Sequence, residues 1–369
     1  MTTRTAQATR TAQATRTIRS TPTPRASWQR LRTVRGPGRT AVRVAPRACV
    51  AVGLLALAAL AMAVVAIGTG PYPLSPLAVV RTLLGHGSAG ADFIVNELRL
   101  PRAVDGLLVG AALGLAGAVF QSLTRNPLGS PDVVGLSTGA ATGALVVILL
   151  AGGGTGATAA GAVVGGLVTA LAVYLLSWRQ GVSGLRLVLV GIGVSSLLAA
   201  VNGYLLSRAG INDVTAALTW LVGSLAGRGW GDVTVVGAGL VVLGPLVLVY
   251  GRRLAVLELG DDAAAAFGVS ADRTRFALLA AATGMTALSV AAAGPVPFVA
   301  LAAPHLAQRL TTRPGPNLLA SACSGALLTV SADWLAQRVV TDAELPVGVV
   351  ASVIGGVYLA VTLFVRRKK

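Results

Sequence analysis

The stretch from Arg99 to Ala140 constrains the fold of this chain more than any other part of the sequence. It begins with Arg-Leu-Pro-Arg, continues through an apolar run of membrane-helix length, Ala103 to Leu123, and then gives Arg-Asn-Pro-Leu. Gly106, Gly110 and Gly114 are spaced four residues apart, so in a helix they lie on one face. The pattern predicts a helix that packs closely against a neighbour along its glycines, with charged or turn-forming residues at both ends.

The composition indicates an integral membrane protein. Of the 369 residues, 54% are hydrophobic and only 12% are charged, whereas a soluble domain carries about 25% charged residues. The 46 glycines favour closely packed membrane helices. We interpret ten apolar runs as ten membrane-spanning helices. The runs are Ala48–Ile67, Ala103–Leu123, Val133–Ala151, Ala157–Leu176, Leu187–Leu206, Val233–Tyr250, Phe276–Ala293, Val296–Leu310, Leu318–Leu335 and Val347–Val365.

The distribution of basic residues predicts the orientation. With the N-terminus placed in the cytoplasm, 24 of the 30 Lys and Arg residues fall on the cytoplasmic side and six on the outer side. When the first 47 residues are left out, thirteen Lys and Arg residues still fall on the cytoplasmic side and six on the outer side. Cytoplasmic loops of membrane proteins are enriched in Lys and Arg, so both termini are predicted to be cytoplasmic. The six outer residues are Arg81, Arg99, Arg102, Arg208, Arg228 and Arg338.

Residues 1–47 have a different composition from the rest of the chain. They contain eleven arginines and no acidic residue. Thr, Pro and Arg without large apolar residues cannot form a core, so we predict a disordered Arg-rich cytoplasmic tail over 1–47 and a ten-helix transmembrane domain over 48–369. Positive-inside topology and anionic membrane lipid account for the net charge of +17. A nucleic-acid partner is not predicted, because no basic face carries interleaved aromatics.

Residues that could support chemistry are sparse. Cys49 and Cys323 lie far apart in apolar runs without metal or redox spacing, so no metal site and no cofactor are predicted. A nucleotide-binding P-loop needs a lysine after its glycines, and the only lysines are Lys368 and Lys369. Any ATP-driven step therefore requires another chain. An intramembrane enzyme needs a catalytic dyad or a metal cluster, and His305 has neither a second His nor a carboxylate at ligand spacing.

A secondary transporter or channel is the alternative from another class. Such proteins usually bury carboxylates or histidines at mid-depth in the membrane. No ionisable residue lies in the middle of a predicted span, since Asp105, Arg208 and Asp333 lie near outer ends and His305 lies near an inner end. This distribution disfavours the secondary transporter.

The longest internal cytoplasmic loop, 252–275, contains Gly-Asp-Asp-Ala-Ala-Ala-Ala-Phe-Gly. Asp261 or Asp262 can cap a helix, the alanines propagate it, and Gly268 can end it. We expect a short helix outside the bilayer with Phe267 projecting from it. Connections in helical bundles usually have about 2–8 residues, so the extra length favours docking of a partner.

These motifs resemble the permeases of ABC importers for iron–siderophore complexes, haem and vitamin B12, the FecCD and BtuC family. The resemblance extends from about Leu54 to Phe364 and includes the whole Arg99–Ala140 stretch. Within the family, FQSLTRNPLGSPDVVG is most similar to the ferric-enterobactin type. Other similar segments, in family order, are LVLVGIGVSSLL at Leu187, LTWLVGSL at Leu218, LGDDAAAAFGVS at Leu259, GPVPFVALAAPHLAQRL at Gly294, ADWLAQR at Ala332 and ELPVGVV at Glu344.

The resemblance implies an all-α polytopic subunit of the cytoplasmic (inner) membrane. It implies two permease subunits side by side, two copies of a cytoplasmic ABC ATPase, and an extracytoplasmic siderophore-binding lipoprotein. The enterobactin type works as a heterodimer of permeases. The implied substrate is a ferric siderophore, a catecholate similar to enterobactin, with haem or cobalamin as the alternative within the family.

The resemblance also implies roles for individual residues. Family members use outer-face arginines to dock the binding protein, and Arg99 and Arg102 match two of them. Gln337 occupies the position of the third, and Arg338 is next to it. The family's ATPase-coupling segment matches Gly260, Asp261, Asp262, Ala263, Phe267 and Gly268. The family's cytoplasmic gate, which matches Gly181 to Arg186, includes Gly181, Ser183, Gly184 and Leu185.

Overall fold

A computed structural model of the chain describes residues 32–35, 41–44, 46–70, 72–178, 184–340 and 344–367. The chain divides into two units, Met1–Cys49 and Val50–Lys369. The second unit consists of packed helices.

The first unit contains two short strands, β1 (Arg32–Arg35) and β2 (Ala41–Val44), which pair antiparallel. Thr and Val favour strands, and both strands lie within the segment 1–47, for which disorder stays a prediction. The remainder of the predicted disordered tail, up to residue 45, lies outside the described residues.

Ten of the helices in the described part of the chain overlap the ten apolar runs of the sequence, and the others are short. A π-helical segment, Phe93–Arg99, joins α3 to α4, and another, Val147–Ala151, continues α5. The helices are α1 (Pro46–Gly68), α2 (Pro76–Leu83), α3 (Ala89–Asp92), α4 (Leu100–Thr124), α5 (Leu136–Val146), α6 (Thr155–Ser177), α7 (Gly184–Arg208), α8 (Ile211–Leu221), α9 (Trp230–Leu257), α10 (Asp261–Ala266), α11 (Ala271–Ala293), α12 (Val299–Thr311), α13 (Leu318–Ala336) and α14 (Val347–Arg367).

The described residues contain seven helical segments that are long and apolar enough to cross a membrane. They comprise α1, the continuous segment Ala89–Thr124, α6, α7, α9, α11 and α13. Two shorter apolar helices span Leu136–Ala151 and Val347–Val361, and the remaining predicted run coincides with α12. The prediction of an all-helical polytopic membrane protein is confirmed in the second unit, whereas the number of ten spans stays a prediction.

The helix α4 lies at the centre of the bundle and contacts α9, α11, α12 and α13. In the most apolar part of the continuous segment Ala89–Thr124, which includes α4, 78% of the residues are buried. In the corresponding part of α7, only 11% are buried. The span that contains α4 is therefore the most buried of the candidate spans, and α7 is the most exposed.

The glycines of α4 bring its backbone into contact with that of α13. A methyl group at Gly110 would overlap the carbonyl oxygen of Gly325, and one at Gly114 would overlap the carbonyl oxygen of Ser321. Gly106 faces Leu225 and Val330. Only glycine permits this approach, so the predicted packing along the glycine face is confirmed.

Substitution at this contact tests its importance for the fold. Gly114→Val is expected to destabilise the solubilised chain by about 3 kcal/mol or more, at the upper end of what overpacking costs, because a main-chain carbonyl cannot rotate away. The measurement is the midpoint of thermal unfolding. Gly53→Val on α1, where an added Cβ meets nothing within 4 Å, is the matched control. Equal midpoints for the two variants would contradict the packing argument.

Candidate functional site

The N-terminal end of α4 carries a buried ion pair. The Nε and Nη2 of Arg102 donate hydrogen bonds to the two carboxylate oxygens of Asp333 on α13, at 3.0 and 2.9 Å. Its Nη1 donates to Oε2 of Glu344 at 3.0 Å. The Arg102 side chain is 16% exposed, that of Asp333 7% and that of Glu344 56%. Bidentate guanidinium–carboxylate pairs are strong and fix geometry, so this pair locks α4 to α13.

The other two predicted docking arginines lie at the same end. The Nη1 of Arg99 donates to the carbonyl oxygen of Ile67 at 2.8 Å. The Nη1 of Arg338 donates to the carbonyl oxygen of Trp334 at 2.9 Å, and its guanidinium lies 4.5 Å from the centre of the Trp334 ring. The charges of Arg99 and Arg338 are close enough to repel each other. The structure thus gathers the three arginines, and it engages Arg102 most fully within the chain.

A cavity of about 320 Å³ lies beside these residues. The cavity is lined by both positively and negatively charged side chains, so carboxylates of the same chain partly neutralise the guanidinium groups. Among the described residues, no group of three or more His, Cys, Asp or Glu is arranged to hold a metal ion. The charged residues that line the cavity are Glu97, Arg99, Arg102, Arg228, Asp333 and Glu344.

The predicted coupling helix is present at the other end of the bundle as α10. It ends as expected, because Gly268 has a φ of 71° and its N–H donates to the carbonyl oxygen of Ala265 at 2.9 Å. The N–H of Val269 donates to the carbonyl oxygen of Ala264 at 2.8 Å, which completes a Schellman motif. Phe267 is 71% exposed and Ala264 is buried. The short helix therefore presents the Phe267 ring outward, as predicted.

The start of α10 differs from the expected cap. Gly260, with a φ of 120°, occupies the N-cap position, and Asp261 and Asp262 lie in the first turn. The carboxylate of Asp261 does not cap the helix because it is held by two guanidinium groups. The prediction that one of the two aspartates caps α10 is wrong for this reason.

Asp261 accepts hydrogen bonds from two other elements. The Nη2 and Nη1 of Arg275, on α11, lie 2.6 and 3.0 Å from its oxygens. The Nη2 of Arg125, which follows α4, donates to Asp261 Oδ1 and to the carbonyl oxygen of Leu257, both at 3.0 Å. The hydrogen bonds from Arg275 and then the charges of both arginines lower the pKa of Asp261. These pairs therefore persist at neutral pH and are lost only as the pH falls through that lowered pKa.

The predicted gate is described in part. Gly181 and Ser183 lie outside the described residues. Gly184 begins α7, and a Cβ added there would lie 2.6 Å from the Cα of Thr124, the last residue of α4. Leu185 is 72% exposed. The described part of the predicted gate is therefore in backbone contact with the C-terminal end of α4.

The Arg102–Asp333 pair gives a prediction that separates stability from docking. Arg102→Gln is expected to destabilise the solubilised chain by about 3–5 kcal/mol, because the buried Asp333 carboxylate loses its cation. The double variant Arg102→Gln with Asp333→Asn should recover most of this loss in a thermal unfolding cycle. Arg81→Gln, an exposed outer arginine, is the control. An Arg102→Gln variant as stable as the control would contradict the structural role.

The model of the FecCD transport family matches residues 56–366. The ferric enterobactin transport system permease FepG of Escherichia coli K12 is 42% identical over 301 residues, which cover 82% of this chain and 91% of the relative. The achromobactin transport system permease CbrC of Dickeya dadantii is 36% identical over 319 residues, covering 86% and 91%.

Two further matches widen the range of relatives. The cobalamin import system permease BtuC of Halobacterium salinarum is 38% identical over 288 residues, 77% of each chain. A solved structure described as an inward-facing, metal-chelate type ABC transporter superposes with a TM-score of 0.75 at 27% identity, covering 86% of this chain and 99% of the other. The chain belongs to the FecCD transport family, and it is a permease component of an ABC importer in the cytoplasmic membrane.

Proposed function

We propose that this chain moves a ferric siderophore of the catecholate class across the cytoplasmic membrane. The observation that carries the proposal is the 42% identity to a permease named for ferric enterobactin, over 91% of that relative. The relatives named for achromobactin and cobalamin define the second candidate, a different chelate of the same importer family, with haem included.

The proposed topology has ten spans with both termini in the cytoplasm. The excess of Lys and Arg on one side supports it, as does the position of α10 at the end of the bundle opposite to Arg102. Residues 48–369 then form the permease domain, and 252–275 form a cytoplasmic coupling loop. The eleven arginines of the 1–47 tail would face the anionic lipid of the cytoplasmic leaflet.

The proposed outer partner is an extracytoplasmic siderophore-binding lipoprotein. Arg99, Arg102 and Arg338 would face acidic side chains of that protein. Arg99 and Arg338 are the better candidates for direct contact, because Arg102 already binds two carboxylates of its own chain. Charge complementarity at such an interface mainly sets the encounter rate and the register of docking.

The proposed inner partner is a cytoplasmic ABC ATPase in two copies. The exposed ring of Phe267 and the first turn of α10, with Asp262 and Ala263, would insert into a cleft of that protein. Large aromatic anchors in pockets carry much of the energy of an interface. ATP hydrolysis is assigned to this partner because the chain lacks a P-loop lysine.

The proposed second permease subunit would cover the exposed helices of this one. On α7 an added Cβ at Gly193 or Gly203 would meet nothing within 4 Å. On α14, Val353 and Val357 are 62% and 60% exposed. Small and apolar residues on an exposed membrane helix suit contact with another helix. We propose a heterodimer with the transport pathway between its subunits, where a bulky chelate meets few charges.

Uptake of labelled chelates tests the proposed function. A strain without this chain, complemented by it, should accumulate radiolabelled ferric enterobactin, whereas uncomplemented cells should accumulate none above background. Uptake of haem and of cobalamin is measured in parallel assays, as the alternative substrates. Uptake of cobalamin or haem without ferric enterobactin would shift the substrate class, and uptake that survives ATP depletion would contradict the ABC mechanism.

A further inference from the structure

We infer that Arg125 is a positioning residue that joins the coupling helix α10 to the gate at the start of α7. The inference rests on the proposed function and adds a route between two of its parts. Three contacts carry it: a side-chain pair, a fixed turn, and a backbone contact.

The first contact ties α10 to the end of α4. Asp261 begins α10, and its Oδ1 accepts a hydrogen bond from the Nη2 of Arg125 at 3.0 Å. The same Nη2 donates to the carbonyl oxygen of Leu257, the last residue of α9, at 3.0 Å. Arg275 also binds Asp261, but it lies on α11, only 14 residues further along the chain. Arg125 therefore links the coupling loop to a distant part of the chain, in addition to the packing of Ala264 in the hydrophobic core.

The second contact fixes the backbone from which the Arg125 side chain extends. Arg125 has a φ of 50°, a left-handed conformation that large side chains rarely adopt. Its N–H donates to the carbonyl oxygen of Ser122 at 3.3 Å, and the N–H of Asn126 donates to that of Gln121 at 3.2 Å. These bonds make the turn part of the last turn of α4. A displacement of the Arg125 guanidinium would therefore move the end of α4, because the turn that carries the side chain is hydrogen-bonded to that helix.

The third contact joins α4 to the gate. Thr124 immediately precedes Arg125, and Gly184 opens α7. A Cβ added at Gly184 would lie 2.6 Å from the Cα of Thr124 and 2.9 Å from its carbonyl oxygen. Further along α7, a Cβ at Gly191 would lie 2.7 Å from the Cα of Val134. The first half of α7 therefore rests on the end of α4 and on the segment that follows it.

The three contacts form a short route from Asp261 through Arg125 and Thr124 to Gly184. Close-packed contacts of this kind shift between discrete arrangements rather than deforming continuously. Displacement of α10 by the ATPase would move the end of α4 against α7.

The test uses the assembled importer in proteoliposomes, with ferric enterobactin as the transported probe. The measured quantity is the number of ATP molecules hydrolysed per chelate transported. Arg125→Gln is expected to raise this ratio about two- to fivefold, the scale on which an exposed ion pair acts, while basal hydrolysis and the amount of bound ATPase stay the same. Arg125→Lys, which retains the charge, should restore part of the coupling. Arg273→Gln, an exposed arginine at the start of α11, is the matched control.

The outcomes separate this inference from the proposed function. Wild-type importer that does not move ferric enterobactin would contradict the proposed substrate and leave the ratio to be measured on the chelate it does move. Wild-type transport with an unchanged ratio in Arg125→Gln would overturn the inference.

A second measurement decides the case in which Arg125→Gln does not assemble. In hydrogen exchange of the purified full chain, Arg125→Gln should speed exchange of the α10 amides and of the first turn of α7 by about two- to fivefold, the scale on which an exposed ion pair acts, with α5 and α6 unchanged. Exchange equal to that of Arg273→Gln in both segments would overturn the inference.

Discussion

The structure depends on the contact between the backbones of α4 and α13. Gly110 and Gly114 on one side and Gly325 on the other leave no room for a side chain. In a membrane, helices gain little from burying apolar groups, since lipid is equally apolar, so close van der Waals packing must hold them together. This contact fixes the central helix. It also determines which side chains meet at the two ends, because a helix held along its length has its termini held as well.

The two ends of α4 carry different kinds of ion pair. At its N-terminal end, Arg102 and Asp333 form a buried, bidentate pair, so removal of either partner leaves an uncompensated buried charge. At its C-terminal end, Asp261 is 54% exposed and Arg125 45%, so that pair contributes little to stability and is free to rearrange. The N-terminal pair therefore suits a fixed joint between α4 and α13, and the C-terminal pair suits a contact that changes during the proposed transport cycle. Among the contacts described, α7 touches the C-terminal end of α4.

Much of the fold follows from local sequence. The four-residue glycine spacing predicts the tight face of α4, and Gly268 predicts the end of α10, because both effects act within one helix. The partners of Arg102 and Arg125 could not be predicted, since Asp333 is 231 residues and Asp261 is 136 residues away in sequence. Periodicity reports which face of a helix is buried but not which helix covers it. Asp261 matched the pattern of a helix cap, but its carboxylate instead binds the guanidinium groups of Arg275 and of the distant Arg125. Arg125 stood out in the sequence only as a charge beside Asn-Pro.

The proposed transport cycle requires α4 and α13 to move as one body while the predicted gate at the start of α7 moves against them. Spin labels can test this in the assembled importer after Cys49 and Cys323 are replaced by serine. Leu98→Cys, two residues before α4, with Val339→Cys, three residues after α13, reports the distance between these ends of the two helices, and Leu128→Cys with Leu185→Cys reports the predicted gate; all four positions are exposed. On ATP binding, the account predicts an unchanged first distance and a second distance that changes by more than about 2 Å, the scale of helix shifts in switching proteins. A change of that size in the first distance with a constant second distance would contradict it.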